Sequence, residues 1–201
     1  MNFTAAVELS SGNERTGMAD TYLSVVDGDD FVIARQLRSV IHAQGLRHRE
    51  VHVWFLTKNR ELVVQRRAAT KDTYPNMLDA TASGHVEEGQ DYMSAALAEA
   101  REETGLDLNR HLLTPLAKVD VTQVDATRGV TNTVFRMVYL FRFNGELTDL
   151  TVEEQDGAGF LTIPLADVLA KRGPLVNEMV PGFFEAGYAP AWQAMRDVLK
   201  V

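Results

Sequence analysis

The side chains of this chain best placed to do chemistry are three glutamates, Glu99, Glu102 and Glu103, in the stretch GHVEEGQDYMSAALAEAREETGL at 84–106. Met93, Ala96, Leu97, Ala100 and Thr104 recur at the three-to-four spacing of a buried stripe, which predicts a helix over 91–104 ended by Gly105. At about 100° per residue, Glu99 and Glu103 stack one turn apart with Glu102 beside them, while Arg101 points the opposite way. Like charges crowded in this way repel unless a cation neutralises them. Hard divalent ions take oxygen ligands and grip phosphate oxygens, so the pattern suits Mg²⁺ or Mn²⁺ working on a phosphorylated substrate. The competing reading is a solvated acidic face, which is what most charge-rich helices present.

The elements that would carry this helix form one α/β domain. Tyr22–Asp27 and Phe31–Arg35 flank Gly28-Asp29-Asp30 as a hairpin, after a Ser/Thr/Gly/Asn-rich lead-in expected to be flexible over 1–21. A helical turn is expected at Ser39–Gln44, with strands at His52–Leu56, Leu62–Gln65, Leu116–Val124, Thr133–Phe143 and Gly159–Ile163. Ala68–Gln90 reads as a long loop holding one short strand at Asp79–Ala82, and a loop of that length is usually functional. Helices are expected at Leu165–Ala170 and Ala191–Lys200, and the proline- and glycine-punctuated stretch 174–190 carries no assignment.

Composition narrows the partners. With 201 residues, 45% hydrophobic and 24% charged, the chain can bury one substantial core, so residues 22–201 are taken as a single domain. A net charge of −8 argues against bulk nucleic-acid binding and against anionic membrane surfaces. The absence of cysteine excludes disulfides, thiolate metal sites and a cysteine nucleophile. No apolar run has the ~18 residues of a membrane span, and no secretory pattern opens the chain, so a cytoplasmic location is expected. The expected partner is a small diphosphate molecule, and a homodimer is one assembly open to the chain.

The glutamate helix and its flanking glycines resemble the Nudix box: Gly84 opens the pattern, and Glu99, Glu102, Glu103, Gly105 and Leu106 fall in register. The resemblance covers about residues 22–170. It implies a mixed β-sheet sandwiched between helices and a divalent-metal-dependent hydrolase of small diphosphates such as nucleoside diphosphates. It also implies Glu99, Glu102 and Glu103 as metal ligands, with Glu102, Glu103 or the loop residue Glu154 in the catalytic role. Two box positions differ: Gln90 stands where the family has a loop glutamate, and Ala98 where it has the arginine that pairs with it. Both ends of one salt bridge are missing together, which reads as a compensated loss.

Residues 48–85 further resemble the branch that contains isopentenyl-diphosphate isomerase. That likeness implies Arg67 and Lys71 as diphosphate-binding residues, and it sets His42, His48 and His85 against three metal-binding histidines. The isomerase's two strand glutamates correspond here to Thr131 and Thr133, and its cysteine has no counterpart, so hydrolysis is favoured over isomerisation. The alternatives are a binding module with little turnover, supported by Gln90 and Ala98, and an isomerase-like enzyme.

Overall fold

The computed structural model describes residues 20–71, 73–125, 130–152 and 157–199. Glu154 and residues 1–19 of the expected lead-in lie outside these described residues. Nine strands among the described residues form two sheets. The first is the hairpin of β1 (Tyr22–Val26) and β2 (Val32–Leu37). The second runs β5-β4-β3-β8-β7, with β6 added to β3 and β9 to β4. Its strands are β3 (His48–Thr57), β4 (Glu61–Arg67), β5 (Leu78–Asp79), β6 (Ala82–His85), β7 (Leu113–Asp125), β8 (Val130–Phe143) and β9 (Gly157–Pro164). Only β3 and β8 run parallel, from His48↔Val134 to Thr57↔Phe143, so the sheet is mixed. The helices are α1 (Arg38–Gln44), α2 (Tyr92–Thr104), α3 (Leu165–Ala170), α4 (Pro174–Asn177) and α5 (Ala189–Leu199).

Each face of the large sheet is covered, and β3 shows why. Its side chains alternate: Val51, Val53 and Phe55 pack with Ala95 and Ala96 of α2. Trp54 and Leu56 pack with Phe183, Tyr188, Trp192 and Met195 of the C-terminal layer. A strand buried on both faces needs apolar residues at successive positions, and VHVWFL nearly provides that. The stretch 174–190, unassigned from sequence, supplies this second layer through α4 and two short 3-10 turns. Its prolines sit at helix starts, where a missing N–H costs nothing.

Two strands occupy the long Ala68–Gln90 segment where one was expected. β3 and β4 pair directly only at Phe55↔Val63 and Leu56↔Leu62. Beyond that they diverge, and β6 takes β3's edge at Glu50↔His85 through Val53↔Ala82 while β5 takes β4's. This split opens the sheet. The small hairpin closes over the loop ahead of α2, through a bridge between Leu23 and Glu87 and an ion pair between Arg35 and Glu88 at 3.1 Å.

Candidate functional site

A cavity of about 740 Å³ lies at the opening between the diverging strands. One wall is α2. Asp91 caps it by accepting from the Ser94 backbone N–H at 2.7 Å, and Gly105 ends it in the left-handed conformation at φ 74°. The buried stripe is shifted slightly from the expected one, with Ala95 inside and Met93 and Leu97 only partly covered. Glu99 and Glu103 do face the cavity together, whereas Glu102 is exposed at its rim. The Glu99 carboxylate lies so close over Gly84 that a Cβ there would come within 1.9 Å of its Oε1, which explains the glycine on β6.

Glu103 is 6% exposed, and the Ser83 backbone N–H donates to its Oε2 at 3.1 Å. Burial, then the charges of Glu99 and Asp79, push its carboxyl well above the ordinary carboxylate range, with Lys71 opposing. The expected crowding of acids is therefore real. It includes a member the sequence did not mark, Asp79 of β5.

Asp79 also changes the setting of Arg67. The Arg67 guanidinium donates to Asp79 Oδ2 at 2.5 Å, to the Thr73 carbonyl at 2.9 Å and to Thr73 Oγ1 at 3.2 Å. Arg67 lines the cavity while tying the 71–77 loop to β5, and Lys71 lines it from that loop. Both cations therefore line the same cavity as the acidic wall, and the Lys71 charge acts on Glu103.

The opposite corner is built on β3, α1 and β6. His48, Glu50 and His52 alternate on the face that continues into Trp54, and all three are buried. His42, His48 and His85 present ring nitrogens within 4.8 Å of one another. His42 Nε2 and His85 Nε2 are 3.2 Å apart. His48 Nδ1 donates to the Leu46 carbonyl at 3.0 Å, so its Nε2 carries the lone pair, and that atom is buried without a partner. Burial lowers all three rings, His42 to about 4 and His85 to about 3. Glu50 Oε1 lies 3.6 Å from His85 Nε2 and 3.9 Å from His48 Nε2. Burial alone would raise Glu50, but Arg136 and the histidines hold it well below the usual carboxylate range. Arg136 Nε donates to Glu50 Oε2 at 3.0 Å and Asn132 Nδ2 to Oε1 at 2.9 Å.

Sequence reasoning missed Glu50, His52, Asp79 and Arg136. A signal existed for the first two, because HREVHVW repeats polar residues at every second position inside a buried strand. Asp79 and Arg136 carried none, since each is defined by a partner distant in sequence.

The box departures are also visible. The Glu87 backbone N–H donates to Gln90 Oε1 at 3.1 Å, and the Gln90 N–H donates to the Glu87 carbonyl at 3.1 Å. The amide closes this turn by itself and asks nothing of position 98, where Ala98 is half-buried.

Comparison with known proteins agrees with this architecture. The profile of the NUDIX domain matches residues 46–183, and the chain belongs to that family, whose hydrolases act on phosphoanhydride bonds. An uncharacterised Nudix hydrolase of Clostridium acetobutylicum is 25% identical over 175 residues, covering 85% of this chain and 81% of the relative. One from Yersinia pestis is 40% identical over 85 residues, spanning 42% of this chain and 47% of its own length. Among solved structures, DR0079 of Deinococcus radiodurans superposes with a TM-score of 0.63 at 24% identity, covering 87% of this chain and 98% of that one. The Nudix domain of Shewanella oneidensis NrtR, complexed with ADP ribose, gives 0.54 at 14% identity over 78% of this chain and 92% of that one. These likenesses show the fold. Among the described residues, no helix is long and apolar enough to cross a membrane.

Proposed function

We propose that this protein hydrolyses a small diphosphate-containing molecule with the help of a divalent cation. The observation that carries the reading is Glu103: a buried carboxyl facing a cavity alongside Glu99 and Asp79, pushed well above the ordinary carboxylate range by burial and by those two charges. Oxygen donors of this kind fit Mg²⁺ or Mn²⁺, which Glu99, Glu102 and Glu103 would hold. Such an ion, when bound, neutralises charge on the phosphates and acidifies an attacking water.

The remaining work belongs to the chain's own groups. The Ser83 N–H fixes the direction of the Glu103 carboxylate. The Arg67–Asp79 pair and Lys71 line the cavity, so that two cations would face the diphosphate there. Glu102, Glu103 or Glu154 accepts the proton of water. The binding-module alternative rests on Gln90 and Ala98, but the Gln90 turn is self-contained and leaves the acidic wall intact. An isomerase-like reaction is disfavoured by the lack of any cysteine.

A second metal position is supported by a separate observation. His48 Nε2 is a buried lone pair with no donor, held in orientation by the Leu46 carbonyl and aimed where two further imidazoles converge. Nitrogen donors with an adjacent carboxylate suit a borderline ion such as Zn²⁺ rather than Mg²⁺.

The test is phosphate release from a panel of diphosphates with Mg²⁺ or Mn²⁺, repeated in excess chelator. Release that stops on chelation is expected. Unchanged turnover in chelator would sink the metal dependence, and no release from any compound would favour the binding module.

A further inference from the structure

The floor of the cavity is more elaborate than diphosphate chemistry requires. Tyr188, fully buried in the C-terminal layer, is the hub. Its hydroxyl oxygen accepts from Trp54 Nε1 at 2.8 Å and lies 3.1 Å from His52 Nδ1. Indole N–H can only donate, so the Tyr188 oxygen accepts in that bond; among the described residues the one acceptor in reach of the hydroxyl's own proton is His52 Nδ1, and donating to it leaves no buried O–H unpaired. The other ring nitrogen, Nε2, therefore carries the proton of a neutral imidazole. His52 lines the cavity with Phe183 edge-on to it at 5.5 Å. A chain of three side chains has fixed one N–H donor at the cavity floor.

The groups around His52 have the same character. Arg136 also lines the floor, with its Nε and Nη2 spent on Glu50. Asn132 spends its Nδ2 on Glu50, which leaves Oδ1 as a buried acceptor without a partner. Gln65 lines the cavity from β4, 4% exposed, with Nε2 a buried donor without a partner. Each buried polar atom left unpaired costs about 1–3 kcal/mol. A hydrocarbon tail placed here would leave every one of them unpaired, whereas a group bearing oxygen and nitrogen would pair them. Discrimination of this sort is strong because it penalises the wrong ligand.

We propose that His52, oriented by Tyr188, is a specificity-determining residue that donates to a polar group attached to the diphosphate, with Asn132 and Gln65 completing the recognition. These side chains then set a preference for a polar group on the diphosphate over a prenyl chain. This inference rests on the hydrolase reading for the diphosphate itself, but it concerns the other end of the ligand.

Equilibrium binding separates the two. Dissociation constants would be measured by calorimetry, with Ca²⁺ as the cation, for inorganic pyrophosphate, the common nucleoside diphosphates, nucleoside diphosphate sugars and dimethylallyl diphosphate. The best polar compound is expected to bind at least about tenfold tighter than dimethylallyl diphosphate, the equivalent of one recovered hydrogen bond. In His52→Leu that ratio should fall about fivefold or more, and Tyr188→Phe, which keeps the ring, should lower it by a smaller factor. A wild-type ratio near one overturns the proposal even if neither variant folds, as does a ratio unchanged in a folded His52→Leu protein. Failure of every compound including pyrophosphate would instead overturn the diphosphate reading.

Discussion

The acidic wall on α2 and the histidine corner on β3 border one cavity, yet the same cause shifts their titration in opposite directions. Desolvation disfavours whichever form carries charge, so it raises the Glu103 carboxyl and lowers His42, His48 and His85. Both regions are thus held towards neutrality in the metal-free protein, and a cation relieves each of them. The wall offers hard oxygen donors, one of them at the rim, and the corner offers inward-facing nitrogens around a buried lone pair. One cavity accordingly presents two chemically different cation environments. The consequence for stability is opposite in sign. Between the ordinary value of 6.5 and about 4, the unfolded chain binds a proton at His42 that the folded chain refuses, so stability is lost as pH falls through that window. At Glu103 the folded chain holds its proton to higher pH than the unfolded one, so stability is lost as pH rises.

The largest expected effect tests the wall. Glu103→Gln removes a ligand and should lower kcat/KM by about a thousandfold, the equivalent of several kcal/mol of lost charge stabilisation. In metal-free protein at neutral pH the same substitution should raise Tm, by about 2–4 °C for each kcal/mol of repulsion relieved. Thermal melts with and without Mg²⁺ would check both signs. A variant that keeps full turnover removes Glu103 from the mechanism. One that melts lower in chelator shows that its carboxyl is not under strain.

The corner is tested by Zn²⁺ instead. Saturating Zn²⁺ at about a hundred times its dissociation constant should stabilise the wild type by about 2.7 kcal/mol. His48→Ala should abolish most of that shift while leaving the Mg²⁺ response of the wall in place. The metal-free wild type should also melt lower as pH is taken from 6.5 towards about 4, where His42 takes up its proton, and bound Zn²⁺ should steepen that slope because ligation keeps the folded imidazoles unprotonated. An equal Zn²⁺ shift in wild type and variant would remove the histidines as ligands.

The same two regions show what a sequence discloses. The wall lies on a single helix, so its spacing alone puts Glu99 and Glu103 on one face, and the helix expected over 91–104 is found at Tyr92–Thr104. Most strands also fell where alternation placed them, though β3 begins earlier than expected because it opens on the polar run His48–Glu50, and β8 begins earlier, at Val130. The corner needs α1, β3 and β6 to converge across about forty residues of chain, which periodicity cannot report. Asp79 was hidden in the same way, since β5 exists only because β3 and β4 part. Arg67 was legible as a cation of the site and does line the cavity, but its engagement by Asp79 and Thr73 was not legible.

The smallest effect concerns the two box departures, and the structure narrows what it should be. In place of a loop glutamate bonded to an arginine, Gln90 closes its own turn on Glu87. The same loop is held from outside by the hairpin. Asp30, at the hairpin turn with φ 68°, accepts from Tyr92 Oη at 2.9 Å at the start of α2, from Arg49 Nε at 2.6 Å and from Lys118 Nζ at 3.0 Å. Glu88 is tied to Arg35 as well. The loop therefore keeps its position without the missing salt bridge, and restoring one charge alone should gain nothing. Gln90→Glu keeps the oxygen that accepts from the Glu87 N–H but adds a carboxylate to an already acidic site, and Ala98→Arg would find no loop partner. Together they could pair with each other and with Glu102, giving a coupling of about 0.5–1 kcal/mol in a double-mutant cycle on kcat/KM. That is about a two- to fivefold gain over the product of the single effects. Zero coupling would mean that the two positions do not communicate, and the compensated-loss reading would fail. A coupling several times larger would mean that the hairpin holds the loop less firmly than its contacts imply, leaving the natural protein a slow hydrolase.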